Sequence, residues 1–138
     1  MSEQKMPASG AFCWNELATT DLDAAQNFYK TLLGWEIKES KAASCEGSEQ
    51  PMVYNEIVVE GRHVGGMYKM GPEFQGAPSH WMAYVAVEDV DERARLVWEL
   101  GGKVCVPPTD IPNVGRFCVI NDPTGATISL ITLKGANS

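Results

Sequence analysis

The feature that most constrains this 138-residue chain is an internal repeat. Residues Trp14–Asp23 (WNELATTDLD) align without a gap on Met82–Asp91 (MAYVAVEDVD), an offset of 68 residues that persists at Phe28/Leu96, Tyr29/Val97, Leu32/Leu100 and Gly34/Gly102. Self-similarity at a fixed offset means one supersecondary unit used twice, so the fold must be built from two like halves.

Each half opens with a strand, because Phe12 to Thr19 and Trp81 to Val87 are short, rich in aromatic and β-branched residues, and bounded by polar ones. A helix follows each strand. Thr20 or Asp21 caps the first, with Ala25, Phe28, Tyr29 and Leu32 on one face at the three-and-four spacing of a buried stripe. Asp89 and Glu92 give the second the shape of a capping box, with Val90, Ala94, Val97 and Trp98 as its stripe and Gly101-Gly102 as its end. Further strands are expected at Met52 to Val59, His63 to Met70, Lys103 to Val106, Phe117 to Asn121 and Ala126 to Leu133. Residues 38 to 51 and Pro107 to Gly115 read as loops, the latter a lip over a cleft, and Gly71 to Ser79 reads as the joint between halves. Alternation places Trp14, Glu16 and Ala18 on one face of the opening strand and Leu17 and Thr19 on the other. His80, Met82, Tyr84 and Ala86 are the matching set in the second half.

Composition narrows the function classes. With 44% hydrophobic residues and a net charge of −7, the chain has the material for one globular core and no cationic patch for a polyanion, so no nucleic-acid partner is expected. No apolar run approaches the roughly 18 residues of a membrane span. Met1 to Ser9 lack the pattern of a secretory leader, which points to a cytoplasmic protein. Cys13, Cys45, Cys105 and Cys118 form no CxxC pair, three of them sit in apolar strand-like runs, and they read as buried free thiols rather than disulfides or a zinc site.

The twice-used unit, with Asp21–Tyr29 (DLDAAQNFY), then Leu32–Trp35 (LLGW), and a closing Asp122–Ala126 (DPTGA), resembles the vicinal oxygen chelate superfamily. That superfamily contains glyoxalase I, the bleomycin-resistance proteins and the extradiol dioxygenases. The resemblance runs over residues 10 to 133. It implies an α+β fold in which a single domain, 1–138, holds two tandem βαβββ modules, 10–70 and 78–134. Their strands would curl into a half-barrel sheet, with helices on the convex face and a ligand cleft on the concave one. It also implies a homodimer. In metal-using members the ligands come from the first and last strands of each module, and those positions fall here on Trp14, Met82, Gly65 and Ser129. None of these suits a divalent cation, so the expectation is a branch without the usual metal ligands and without a cofactor.

Glu16 is the candidate catalytic residue: on the cleft side, among Trp14, Met67, Met82, Tyr84 and Ile131, an acid would serve in proton abstraction, or else would only shape the pocket. Trp14, Met67, Met82, Tyr84 and Ser129 are expected to contact a small apolar or aromatic molecule. His80 stands at the rim, where it could join Glu16 as an acid/base or two-ligand metal pair or be a plain surface histidine. His63, beside the Gly61 turn, reads as a solvated hairpin residue. Arg116 could clamp a ligand's carboxylate or phosphate, or form a salt bridge with Asp110 or Asp122. Gly65-Gly66 is no phosphate-binding loop and reads as a close-packing pair. Three functions follow: a glyoxalase-like protein binding or transforming an organic molecule without metal, Glu16 serving as acid/base if it is a lyase or isomerase; a metal-dependent lyase or dioxygenase with non-standard ligands; or a non-enzymatic interaction module.

Overall fold

The computed structural model describes residues 7–41, 53–71, 76–111 and 114–134. The order strand, helix, three strands runs twice: β1 (Phe12–Thr19), α1 (Leu22–Leu33), β2 (Glu36–Lys41), β3 (Val53–Val59), β4 (Arg62–Lys69), then β5 (His80–Ala86), α2 (Val90–Glu99), β6 (Lys103–Ile111), β7 (Gly115–Asn121), β8 (Thr127–Leu133). This is the α+β architecture expected. Among the described residues one compact unit takes in 14–41, 53–71 and 76–82, and the other 7–13, 83–111 and 114–134. No helix among the described residues is long and apolar enough to cross a membrane.

Both helices start where an aspartate can accept from an orphan backbone N–H. The Asp21 carboxylate takes the amide of Ala24 and the Asp89 carboxylate that of Glu92. Gly34 ends α1 in the left-handed conformation, φ 72°, which a side chain would resist.

In the first unit the strands lie in the order β2-β3-β4-β1, with β4 parallel to β1 and the other pairs antiparallel. Leu17, Ile57 and Met67 form its core, and Leu22, Ala25 and Tyr29 of α1 pack on them with Trp35 and Ile37. Helix α1 itself buries nothing fully, and Phe28 and Leu32, expected in its buried stripe, stand more than half exposed. In the second unit the order is β5-β8-β7-β6. Val90 and Ala94 of α2 pack against Cys118, with Val104, Ile120 and Leu130 around them. Trp98, assigned to the α2 stripe by its spacing, is instead 58% exposed.

Two segments read as loops are partly strand. Residues Glu36–Lys41 pair with β3, and Lys103–Ile111 continue through Pro107 and Pro108 along β7 with two register shifts. Both are outer strands of their ladders. Such a strand has solvent on one flank, so it tolerates polar residues and can hold prolines whose missing N–H no neighbour needs. Cys45, most of the 38–51 segment and the middle of the Gly71–Ser79 joint lie outside the described residues.

Candidate active site

Strand register decides which side chains meet. In the first unit Glu16 of β1 lies beside Gly66 of β4, which lies beside Glu56 of β3. Alternation therefore puts Trp14, Glu16, Tyr54, Glu56, Gly66 and Tyr68 on the face opposite the α1-covered core. On that face the Trp14 indole Nε1–H donates to the Tyr54 hydroxyl at 2.8 Å, and the Tyr54 hydroxyl donates to Glu16 Oε2 at 2.9 Å. Trp14 and Glu16, paired by expectation only through their parity, are thus joined through a residue 38 positions beyond Glu16.

The Tyr54 ring occupies the space above Gly66. A Cβ at Gly66 would fall 1.9 Å from the Tyr54 hydroxyl and 2.2 Å from Cζ, so only glycine fits. Gly65 faces the other way, where a Cβ would fall 2.5 Å from the Asn15 carbonyl oxygen. The Gly65-Gly66 pair is a close-packing device on both faces of the strand. Tyr54 also stacks on Tyr68 with ring centroids 6.4 Å apart. Burial, and then the negative charge of Glu16, push the Tyr54 phenol well above its ordinary range, so its proton remains available for the hydrogen bond to the carboxylate. Glu56, on the same face, meets Nδ1 of His63. His63 is otherwise exposed beside the β3–β4 turn, as expected of a hairpin residue.

In the second unit the same register places carry different chemistry. Tyr84 of β5 lies beside Ser129 of β8, which lies beside Val119 of β7. The Tyr84 ring meets Phe117 with centroids 6.5 Å apart. Tyr84 thus stands where Glu16 stands in the first unit, Ser129 where Gly66 stands, and Phe117 where Tyr54 stands. Ser129 is fully buried, and its Oγ has no hydrogen-bond partner among the described residues.

One expected site residue, Met67, is placed on the other face, and two more, Arg116 and His80, are engaged in bonds of their own. Met67 is wholly buried in the α1-side core, because its register partners are Leu17 and Asn55 rather than the residues of the Glu16 face. Arg116 shares the parity of Cys118, on the α2 side, and its guanidinium is taken by Asp91 at 2.9 and 3.1 Å and by Asp110 at 2.9 Å. It ties α2 to β6 and β7, and its bond to Asp110 is one of the salt bridges expected beside the ligand-clamp reading. His80 holds the Pro78 carbonyl oxygen at 2.9 Å through Nδ1, while Glu16 bonds Tyr54, so their hydrogen bonds lead apart. Met82 is half-buried. Tyr54 and Gly66 were not among the candidates. The signal available for them was an aromatic in period with Glu56 on one strand and a glycine pair inside the next.

The positions that the resemblance assigns to metal ligands do not form a donor set. Gly65 points to the helix side, and its place on the opposite face belongs to Gly66, which the Tyr54 ring covers. Trp14 is a hydrogen-bond donor only and is already engaged. Met82 offers a soft thioether and Ser129 a lone hydroxyl, neither suited to a hard or borderline divalent ion. Among the described residues no three His, Cys, Asp or Glu side chains come together. The residues present do not fit the family's metal.

Comparison with known proteins agrees with this architecture. The family model described as Glyoxalase/Bleomycin resistance protein/Dioxygenase superfamily matches residues 12–130. The chain is 37% identical over 123 residues to a Mycobacterium tuberculosis protein named "Putative glyoxylase CFP32". It is 28% identical over 135 residues to "Anthracycline biosynthesis protein DnrV" of Streptomyces peucetius. Each match takes in 89% of this chain but only 44% and 47% of those relatives, so the chain spans less than half their length. The crystal structure of methylmalonyl-CoA epimerase from Mycobacterium tuberculosis has a TM-score of 0.60 at 17% identity, covering 95% of this chain and 94% of that one. That likeness is one of fold.

Proposed function

Since the chain belongs to the Glyoxalase/Bleomycin resistance protein/Dioxygenase superfamily, matched over residues 12–130, we propose that it holds a small organic molecule against the face carrying Trp14, Tyr54 and Glu16, without a metal. The observation that carries this reading is the continuous hydrogen-bond chain from the Trp14 indole through the Tyr54 hydroxyl to the Glu16 carboxylate. Aromatic rings supply apolar area and the carboxylate supplies one oriented acceptor, the combination of apolar wall and few placed polar groups that small-molecule sites use. The relative named for anthracycline biosynthesis favours an aromatic ligand. The poor donor set at the ligand positions weighs against a metal-dependent lyase or dioxygenase.

Acid/base catalysis by Glu16 is the second reading, favoured by a carboxylate and a phenol in direct hydrogen bond at 2.9 Å. Both readings are tested by titrating the protein with a panel of small aromatic compounds while following tryptophan emission. Saturable quenching that disappears in Trp14→Phe supports binding at this face. Turnover lost in Glu16→Gln with affinity retained supports catalysis; affinity lost without any turnover supports binding alone. No quenching by any compound would favour the interaction-module alternative.

A further inference from the structure

We propose that Tyr54 is a positioning residue: seated on Gly66, its hydroxyl orients the Glu16 carboxylate and couples it to the Trp14 indole. The proposal rests on the reading that Glu16 is the polar anchor of the site. The direction of the chain follows from chemistry. An indole Nε1–H can only donate and a carboxylate can only accept, so the phenol between them must accept from Trp14 and donate to Glu16. Its single proton is committed to the carboxylate, and the ring cannot turn away without leaving its place over the glycine.

The second unit shows what the same register places look like without this device. Phe117 has no hydroxyl, Tyr84 replaces the carboxylate, and the partner across the ladder is Ser129 rather than a glycine that admits a ring. At these register places the relay of indole, phenol and carboxylate is a feature of the first unit.

A relay transmits a change at one end to the other, which mere packing does not. Glu16 and Trp14 stand two residues apart on β1, and the Trp14 N–H bonds Tyr54 rather than Glu16. Among the described residues, the remaining charged groups on this face are Glu56 with its partner His63, Lys38, opposite Glu56 on β2, and Glu36, which pairs with Lys38 at 3.9 Å; His80 is held at Pro78. The test is the 1H–15N spectrum of the ligand-free protein, in which the Trp14 indole resonance is assigned by its loss in Trp14→Phe. In the wild type this resonance should titrate in the acid range. The titration should be lost in Glu16→Gln, lost in Tyr54→Phe, and kept in Glu56→Gln. Persistence of the titration in Tyr54→Phe, its absence in the wild type, or its dependence on Glu56 rather than Glu16 would each overturn the proposal. Should Tyr54→Phe fail to fold, Gly66→Ala, which displaces the Tyr54 ring, takes its place: loss of the titration there supports the relay and persistence overturns it. Because no ligand is present, failure of the relay is separate from failure of the ligand reading, which the fluorescence titration addresses.

Discussion

Replacing Gly66 with alanine perturbs the site at its foundation while adding only one methyl group. The new Cβ would stand 1.9 Å from the Tyr54 hydroxyl and 2.2 Å from Cζ, far inside van der Waals contact, so the ring must leave. Its departure breaks the Trp14–Tyr54 bond, worth about 0.5–1.5 kcal/mol as a neutral pair, and the Tyr54–Glu16 bond, worth about 1.5–3 kcal/mol with a charged acceptor. The better strand propensity of alanine returns a few tenths of a kcal/mol, leaving a loss of about 2–4 kcal/mol. At about 3 °C per kcal/mol for a domain of this size, the melting temperature should fall by roughly 6–12 °C. Urea unfolding followed by circular dichroism measures the loss, and tryptophan emission reports the changed surroundings of Trp14. A double variant isolates the mechanism: with the ring already removed in Tyr54→Ala, adding Gly66→Ala should cost almost nothing, a coupling of opposite sign to the single loss. A Gly66→Ala protein within about 1 kcal/mol of wild type, with unchanged emission, would refute the seat. So would a full additive loss in the double variant.

Other positions give independent checks. Ser129→Ala should leave stability unchanged or raise it by up to about 2 kcal/mol, because it removes a buried hydroxyl that has no partner among the described residues; a clear loss in chemical denaturation would show that Oγ is engaged. Arg116 holds Asp91 below the usual carboxylate range, so this fork stabilises the fold at pH values above the unfolded aspartate pKa and the contribution fades as pH falls through the lower, folded value. Arg116→Ala should therefore lower the melting temperature slightly at neutral pH, less in strong salt, and should not alter ligand affinity; a large affinity loss would return Arg116 to the ligand. A thiol reagent at pH 8 should label exposed Cys105 in the folded protein but reach Cys118 only on unfolding, since burial pushes that thiol up to about 11. Mass spectrometry showing equal labelling of the two would contradict the packing of Cys118 under α2.

The architecture was legible because periodicity and capping are local. Asp21 and Asp89 act as caps and Gly34 ends its helix, as their spacing required. What misled was burial that depends on neighbours. Residues 36–41 and 107–111 lie on the flank strands of their ladders, where one free side relaxes the apolar alternation and the proline rule by which strands are recognised. Phe28, Leu32 and Trp98 have the spacing of a buried face, yet spacing reports only which side chains share a side, not what covers them. Within the site, parity along β1 correctly put Trp14 beside Glu16. Parity does not carry across strands unless the register is known, so it can neither set Met67 on the α1 side nor bring Tyr54 to Glu16. The link between positions 16 and 54 is a tertiary hydrogen bond, and only the Gly65-Gly66 pair hinted that something large lay against β4.

The central claim, an organic ligand anchored at Glu16 and Tyr54 without a metal, is tested most directly by comparative melting of chelator-treated protein. Divalent magnesium, manganese, iron, nickel and zinc are added in one series and small aromatic compounds in another, each with wild type, Glu16→Gln and Tyr54→Phe. Anything that binds only the folded state raises the melting temperature by mass action. The account predicts a saturable rise with at least one aromatic compound, diminished in both variants, and no comparable rise with any ion. A saturable rise with one metal ion that Glu16→Gln abolishes, or aromatic binding that appears only after that ion is added, would contradict it.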